Sequence, residues 1–212
     1  MRKVRPPRRF RPRFVPTLAT ALLLPLLLGL GFWQLDRAQQ KQALQDTFAQ
    51  GLQRSPVALT ALDPAAPENR YRPVEVTGRY DADHQLLLDN RIRAGRPGYE
   101  VYTPLYWGEP RRVILVNRGW VPLGGSRNRL PEIGLQGSAV TVRGRLSQPA
   151  NPGIRMGEAL AAPGWPKVVP YIDYAALSEA LGTTLTPAVL LLDPAMAQGY
   201  RRDWSPEFGG LG

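Results

Sequence analysis

YRPVEVTGRYDADHQLLLDNR, residues 71–91, changes the period of the chain. Val74, Val76, Gly78 and Tyr80 alternate with Glu75, Thr77 and Arg79, the period-two signature of a half-buried strand. QLLLDNRI, residues 85–92, predicts a second strand across the DADH turn. Tyr99, Val101, Thr103, Leu105 and Trp107 alternate as a third, and Pro104 within it predicts a sheet edge or a bulge. RVILV, residues 112–116, reads as a fourth strand buried on both faces. Val140, Val142, Gly144 and Leu146 alternate with Thr141, Arg143 and Arg145 as a fifth. Residues 148–170 hold five prolines and three glycines and exclude long regular structure. Asp173 then caps a short helix, YAALSEAL, that Gly182 stops. AVLLL, residues 188–192, is a sixth strand. Short strands punctuated by turns define an α+β domain whose β-rich part is an antiparallel barrel or sandwich. There is no convincing internal repeat.

Upstream the chain has another character. Phe14 to Leu35 (FVPTLATALLLPLLLGLGFWQL) is 22 residues without a charge. As a helix it reaches about 33 Å, against about 30 Å of bilayer hydrocarbon. Pro25 is expected to kink it, which membrane helices tolerate. Trp33 falls where an interfacial aromatic belongs, and Arg37 is placed to snorkel beyond it. Seven basic residues (Arg2, Lys3, Arg5, Arg8, Arg9, Arg11 and Arg13) precede the span, while Arg37 and Lys41 follow it. That asymmetry places the N-terminus in the cytoplasm and exports the rest. The alternative is a signal peptide cleaved after Gly31, in a small-x-small site with Gly29; the length favours an anchor. The Arg8-Arg9 pair adds little in so basic an arm.

The expected organisation is therefore a basic cytoplasmic arm (1–13), a transmembrane helix (14–35) and a juxtamembrane helix (36–54). Leu44, Phe48 and Leu52 form the stripe by which that last helix docks on the domain. A linker or surface loop (55–70), a β-rich periplasmic domain (71–204) and a tail (205–212) complete it. The uncharged stretch 180–192 contains Pro187 and is too short to span a bilayer.

The 212 residues include no cysteine and one histidine, and carry a formal charge of +10. Zero cysteine excludes disulfides, zinc fingers, iron–sulfur clusters and thiol nucleophiles. Without the seven arm residues, 20 basic side chains face 17 acidic ones, so the charge excess belongs to the arm and no nucleic-acid partner is expected.

No catalytic constellation stands out. His84 lies near Asp81 and Asp83, which is too few ligands for a metal without distant help; an exposed turn is the plainer reading. There is no G-x-S-x-G, and LGGSR at 123–127 lacks the lysine of a phosphate loop. Two clusters carry more chemistry. Gly31-x-Trp33-Gln34-x-x-Arg37 offers an aromatic face and a guanidinium at the outer membrane surface, suited to an amphipathic tetrapyrrole with carboxylates; plain interfacial anchoring competes. Val116-Asn117-Arg118-Gly119-Trp120-Val121-Pro122 follows the most buried strand as a turn. Asn117, Arg118 and Trp120 are its candidates for partner recognition, against a Trp that merely plugs a barrel end. Asp89-Asn90-Arg91 ends a neighbouring strand and is placed to lie beside them.

These clusters, in this order, resemble the Surfeit-locus cytochrome c oxidase assembly factor family. The matching stretches are LGLGFWQLDRAQQKQAL, YRPVEVTGRYDADHQLLLDNR, GYEVYTPL, VILVNRGWVP and VTVRGRL, then a short helix before a strand ending in Asp193; together they cover about residues 20–204. The resemblance implies a non-enzymatic protein of the bacterial inner membrane that aids biogenesis of haem-copper oxidase. It would handle haem a transiently for subunit I, beside the haem a synthesis machinery. Trp33, Gln34 and Arg37 are then the cofactor-binding candidates. The family normally adds a second transmembrane helix opening with a His-containing segment proposed to contact haem. Trp204 to Gly212 lies about where that helix would begin, and His84 is not the equivalent of that histidine. Two other classes stand beside this reading: a membrane-tethered periplasmic interaction domain without cofactor, and a periplasmic enzyme using His84 with Asp81 or Asp83.

Overall fold

The structure, a computed structural model, describes residues 13–125, 127, 129–135, 139–149, 159–160 and 163–204, except the side chains of Leu52 and Gln53. The arm up to residue 12, the tail 205–212 and much of the proline-rich 148–170 stretch lie outside the described residues. The chain divides into two compact units, residues 1–44 and 45–212.

Helix α1 runs Phe14–Gln53 and continues through Pro25. The membrane and juxtamembrane helices expected from the sequence are thus one element, because residues 36–50 (DRAQQKQALQDTFAQ) are good helix formers and no breaker separates them from the span. Among the described residues, α1 is the one helix long and apolar enough to cross a membrane. Within the second unit, Phe48 of α1 meets the Tyr71 ring edge-on at 5.0 Å. The Arg145 guanidinium lies 5.0 Å over Phe48. Gly51 is buried against the Tyr71 carbonyl, where a side chain has no room. Phe48 therefore docks as expected. Leu44 belongs to the first unit, and the Leu52 side chain is outside the described residues.

The second unit is built on eight strands among the described residues: β1 (Val57–Ala58), β2 (Pro73–Tyr80), β3 (Leu86–Arg93), β4 (Arg96–Trp107), β5 (Arg112–Pro122), β6 (Ala139–Ser147), β7 (Lys167–Val169) and β8 (Leu185–Leu192). Helix α2, Tyr174–Leu181, joins β7 to β8. The sheet order is β1-β2-β6-β8-β5-β4-β3-β7, and β2 also pairs with β4. That pairing closes β2, β6, β8, β5 and β4 into a five-stranded barrel. Strict antiparallel alternation cannot close on an odd number, and the one parallel contact is β5 with β8. β1 and β7 add in parallel at the two free edges.

Val74, Val76, Leu105, Ile114, Val116, Val142 and Leu190 fill the barrel, all 5% exposed or less. Leu59 joins them, so residues 55–70 contribute a strand and a core side chain as well as a connection. A second cluster, Leu87, Tyr99, Val101, Val121 and Ile133, packs where β3 continues the sheet beyond the barrel. Asp173 caps α2 through the N–H groups of Ala175 and Ala176, and Gly182 ends it in the left-handed region.

Two local expectations need correction. Pro104 is neither on an edge strand nor in a bulge: β4 pairs with β3 up to Tyr102 and with β2 from Leu105, so Pro104 falls in the gap between partners. Its missing N–H is not needed there, while its carbonyl accepts from the Asp81 N–H at 2.8 Å. Nor does Asn117-x-Gly119 form a turn. β5 runs on to Pro122, and between the pairs Glu100–Trp120 and Tyr102–Asn117 it holds one more residue than β4 does. Gly119, with φ +107°, absorbs that extra residue as a bulge.

Candidate functional site

At the bulged end of β5 the barrel wall turns polar. Alternation along β4 and the bulge in β5 bury Gln85, Glu100, Thr103, Asn117 and Arg118, each at most 8% exposed, in two separate groups. Two hubs organise them. Around Glu100, Tyr102 donates its hydroxyl at 3.1 Å and Asn117 donates Nδ2 at 3.0 Å to Oε2, with Arg91 Nε at 3.7 Å. Asn117 Oδ1 also accepts from the Gly119 N–H at 3.0 Å, which fixes the bulge. Trp120 donates its indole N–H to the Arg91 carbonyl at 2.8 Å. Asp89-Asn90-Arg91 thus lies beside the β5 cluster, as its position in sequence suggested.

Around Arg118, every bond goes to a neutral acceptor. Nε donates to the Gln198 carbonyl at 2.8 Å, and Nη1 to Gln85 Oε1 at 2.8 Å, the Ile133 carbonyl at 3.3 Å and Thr103 Oγ1 at 3.4 Å. Nη2 reaches the Gly134 carbonyl at 3.4 Å, and the Tyr200 ring lies 5.0 Å away. Burial lowers the pKa of Arg118, with Tyr200 and Tyr80 partly offsetting it. Arg202, nearby, donates to the carbonyls of Asp193, Pro194, Met196 and Tyr200 and so folds the 193–202 loop over this end.

Two hollows flank the hubs. One of about 230 Å³ is lined by Leu88, Arg91, Tyr102, Tyr171 and Tyr174 among others. The other, about 360 Å³, is lined by Tyr80, Arg118, Leu135, Gln198 and Tyr200 among others. Tyr80 is 3% exposed, and burial pushes its hydroxyl up to about 12 against the pull of Arg118 and Arg202. The unfolded tyrosine loses its proton near pH 10 while the folded one keeps it. This contribution to stability is therefore complete below pH 10 and is lost as pH rises toward 12, about 2–3 kcal/mol in all. Denaturant titrations between pH 9 and 12 check it: Tyr80→Phe flattens the decline by that amount.

The other sequence-derived candidates lie on other elements. Trp33 and Gln34 are exposed on α1, with Arg37 half-buried one turn beyond Trp33, so Trp33 and Arg37 share a helix face. Arg37 has no ion-pair partner among the described residues. His84 Nδ1 meets Asp81 Oδ2 at 2.8 Å, and its ring lies edge-on to Trp165 at 4.9 Å. Asp81 Oδ1 accepts from the N–H groups of Asp83 and His84, so these residues staple the β2–β3 turn. No cluster of three metal-ligating side chains occurs among the described residues. Sequence reading missed Gln85, Glu100, Thr103, Tyr80 and Gln198. One signal was available: Glu100 is the only acid in the strand 99–107.

The architecture is a closed five-stranded barrel with a buried polar end, joined to a helix apolar enough to span a bilayer. The chain matches the SURF1 family over residues 21–209 and belongs to it. It is 37% identical over 133 residues to the chicken (Gallus gallus) Surfeit locus protein 1, covering 55% of this chain and 42% of that one. A SURF1-like protein of Monosiga brevicollis is 36% identical over 104 residues, 44% of this chain and 40% of that one. One from Rickettsia felis is 30% identical over 115 residues, 53% and 48%. The chain thus spans less than half the length of these relatives.

Proposed function

We propose that this chain is a membrane-anchored assembly factor for haem-copper cytochrome c oxidase that assists haem a insertion into subunit I. One observation carries the reading: the family match is continuous from inside the apolar helix through the barrel, so anchor and domain belong to one functional unit. The reading places the protein in a bacterial inner membrane, and the basic arm supports a cytoplasmic N-terminus and a periplasmic barrel. Its partners are the bilayer, subunit I and the machinery that makes haem a.

Trp33, Gln34 and Arg37 hold the cargo at the outer interface. The donor set fits the rim and face of a haem: Trp33 offers a 58%-exposed indole, and Arg37, one turn on, offers a guanidinium with no ion-pair partner among the described residues. Stacking on Trp33 and pairing of a haem carboxylate with Arg37 would orient the ring without gripping its iron. His84 is engaged by Asp81 and Trp165 and is given no part in this. The haem supplies redox chemistry only once seated in the oxidase. Asn117, Arg118 and Trp120 shape the recognition end from within, setting the positions of Arg91 and the 198–201 segment.

A cofactor-free interaction domain is the second reading, supported by the polar end of the barrel, whose hydrogen bonds join protein groups to one another. Trp33→Leu combined with Arg37→Gln separates the two. The double variant is expected to lower mature oxidase several-fold at unchanged abundance of this protein, measured by haem a absorbance and immunoblot. A fall in abundance alone would reduce these residues to anchors.

A further inference from the structure

We propose that the hollow between Tyr80, Arg118 and Gln198 binds a carboxylate carried on a short apolar stem. Three features of one cavity point to this ligand, whether or not the chain handles haem. First, Arg118 is 2% exposed, and among the described residues no carboxylate lies within ion-pair distance of it. Its neutral acceptors satisfy N–H groups but leave a positive charge in a dry wall, which is costly to bury. Nη2 reaches the Gly134 carbonyl at a long 3.4 Å, and the Tyr200 side chain adds a further neutral contact to the guanidinium.

Second, two polar atoms at the same cavity, Tyr80 Oη and Gln198 Oε1, are buried with no hydrogen-bond partner among the described residues. Native interiors rarely leave such atoms unsatisfied. The Tyr80 hydroxyl is a donor awaiting an acceptor. The Gln198 amide can turn to present its NH₂ in place of the oxygen. Hydroxyl, amide and guanidinium together make a donor set for an oxyanion.

Third, the rest of the lining decides which oxyanion. Leu135, Val140 and Ala197 share the cavity with the Tyr200 ring, and about 360 Å³ is more than one carboxyl group fills. Inorganic phosphate would bring nothing to cover the apolar part. A carboxylate with a few methylene groups covers both. The Arg202 guanidinium, whose field also reaches Tyr80 and Arg118, adds to the preference for an anion.

The test titrates the full chain in detergent with sodium butyrate, butanol and inorganic phosphate at constant ionic strength, following calorimetric heat and the thermal midpoint. Butyrate is expected to saturate, to raise the midpoint and to bind at least ten-fold more tightly than phosphate, with butanol doing neither. Tyr80→Phe removes a buried hydroxyl that has no partner, so it should keep its circular dichroism and hold or raise its ligand-free midpoint yet bind butyrate about ten-fold more weakly. Gln198→Leu should weaken binding in the same direction. Absence of saturable butyrate binding overturns the proposal. So does equal binding of phosphate or butanol, or a Tyr80→Phe variant that binds like the parent.

Discussion

Replacing Arg118 with leucine is expected to destabilise the barrel domain by about 2–4 kcal/mol out of the roughly 5–15 kcal/mol that holds a domain together. The loss of several buried hydrogen bonds is offset in part by removal of an unpaired buried charge. Leucine fills much of the space but donates nothing. It strands the Gln85 amide oxygen and the carbonyls of Ile133, Gly134 and Gln198, all of which converge on the guanidinium. A buried acceptor left without its donor costs about 1–3 kcal/mol. Arg118→Lys should recover less than half of the loss, because one ammonium cannot reach acceptors arranged around a planar fork. Urea denaturation of the full chain in detergent, read by tryptophan fluorescence, measures both. A loss below about 1 kcal/mol for Arg118→Leu would mean that the hub is ornamental.

The second large effect is expected at Gly98, the start of the tight β4–β5 contact. A Cβ there would lie about 2.5 Å from Trp120 Cε2 and would also collide with the Val121 carbonyl oxygen. Neither neighbour can yield cheaply. Trp120 is 6% exposed and pinned by its bond to the Arg91 carbonyl, and Val121 is held by its strand pairing with Tyr99. Gly98→Ala should therefore cost at least about 2–3 kcal/mol, through displaced packing and a lost indole hydrogen bond. Its signature is a red-shifted tryptophan emission together with a lower denaturation midpoint. Ile92→Ala on the same hairpin, at a 67%-exposed position, should leave both unchanged.

How much of this was legible in the sequence follows from the range over which each feature is encoded. Strands with one covered face write themselves as alternation, so β2 and β6 were visible residue by residue. The α2 cap and stop, Asp173 and Gly182, are local chemistry and were equally plain. The course of β5 beyond Val116 was not. Asn-x-Gly has the composition of a turn, and only the opposing strand decides that Gly119 makes a bulge instead. Barrel closure was hidden for a similar reason, since the β2–β4 pairing joins residues of two strands that each already have another partner. The polar end lay furthest from view. Its bonds join Arg118 to Gln85 and Gln198, 33 and 80 residues away, and no periodicity reports contacts of that span. Trp33 and Arg37 were the reverse case: one turn apart on one helix, their shared face follows from spacing alone.

A role in oxidase assembly at the level of haem a is tested by a reduced-minus-oxidised difference spectrum of membranes from cells lacking this protein. The haem a signal is expected to fall while the b- and c-type signals persist, and the parent chain is expected to restore it where the Trp33→Leu, Arg37→Gln double variant does not. A haem a signal unchanged by the deletion would overturn that role.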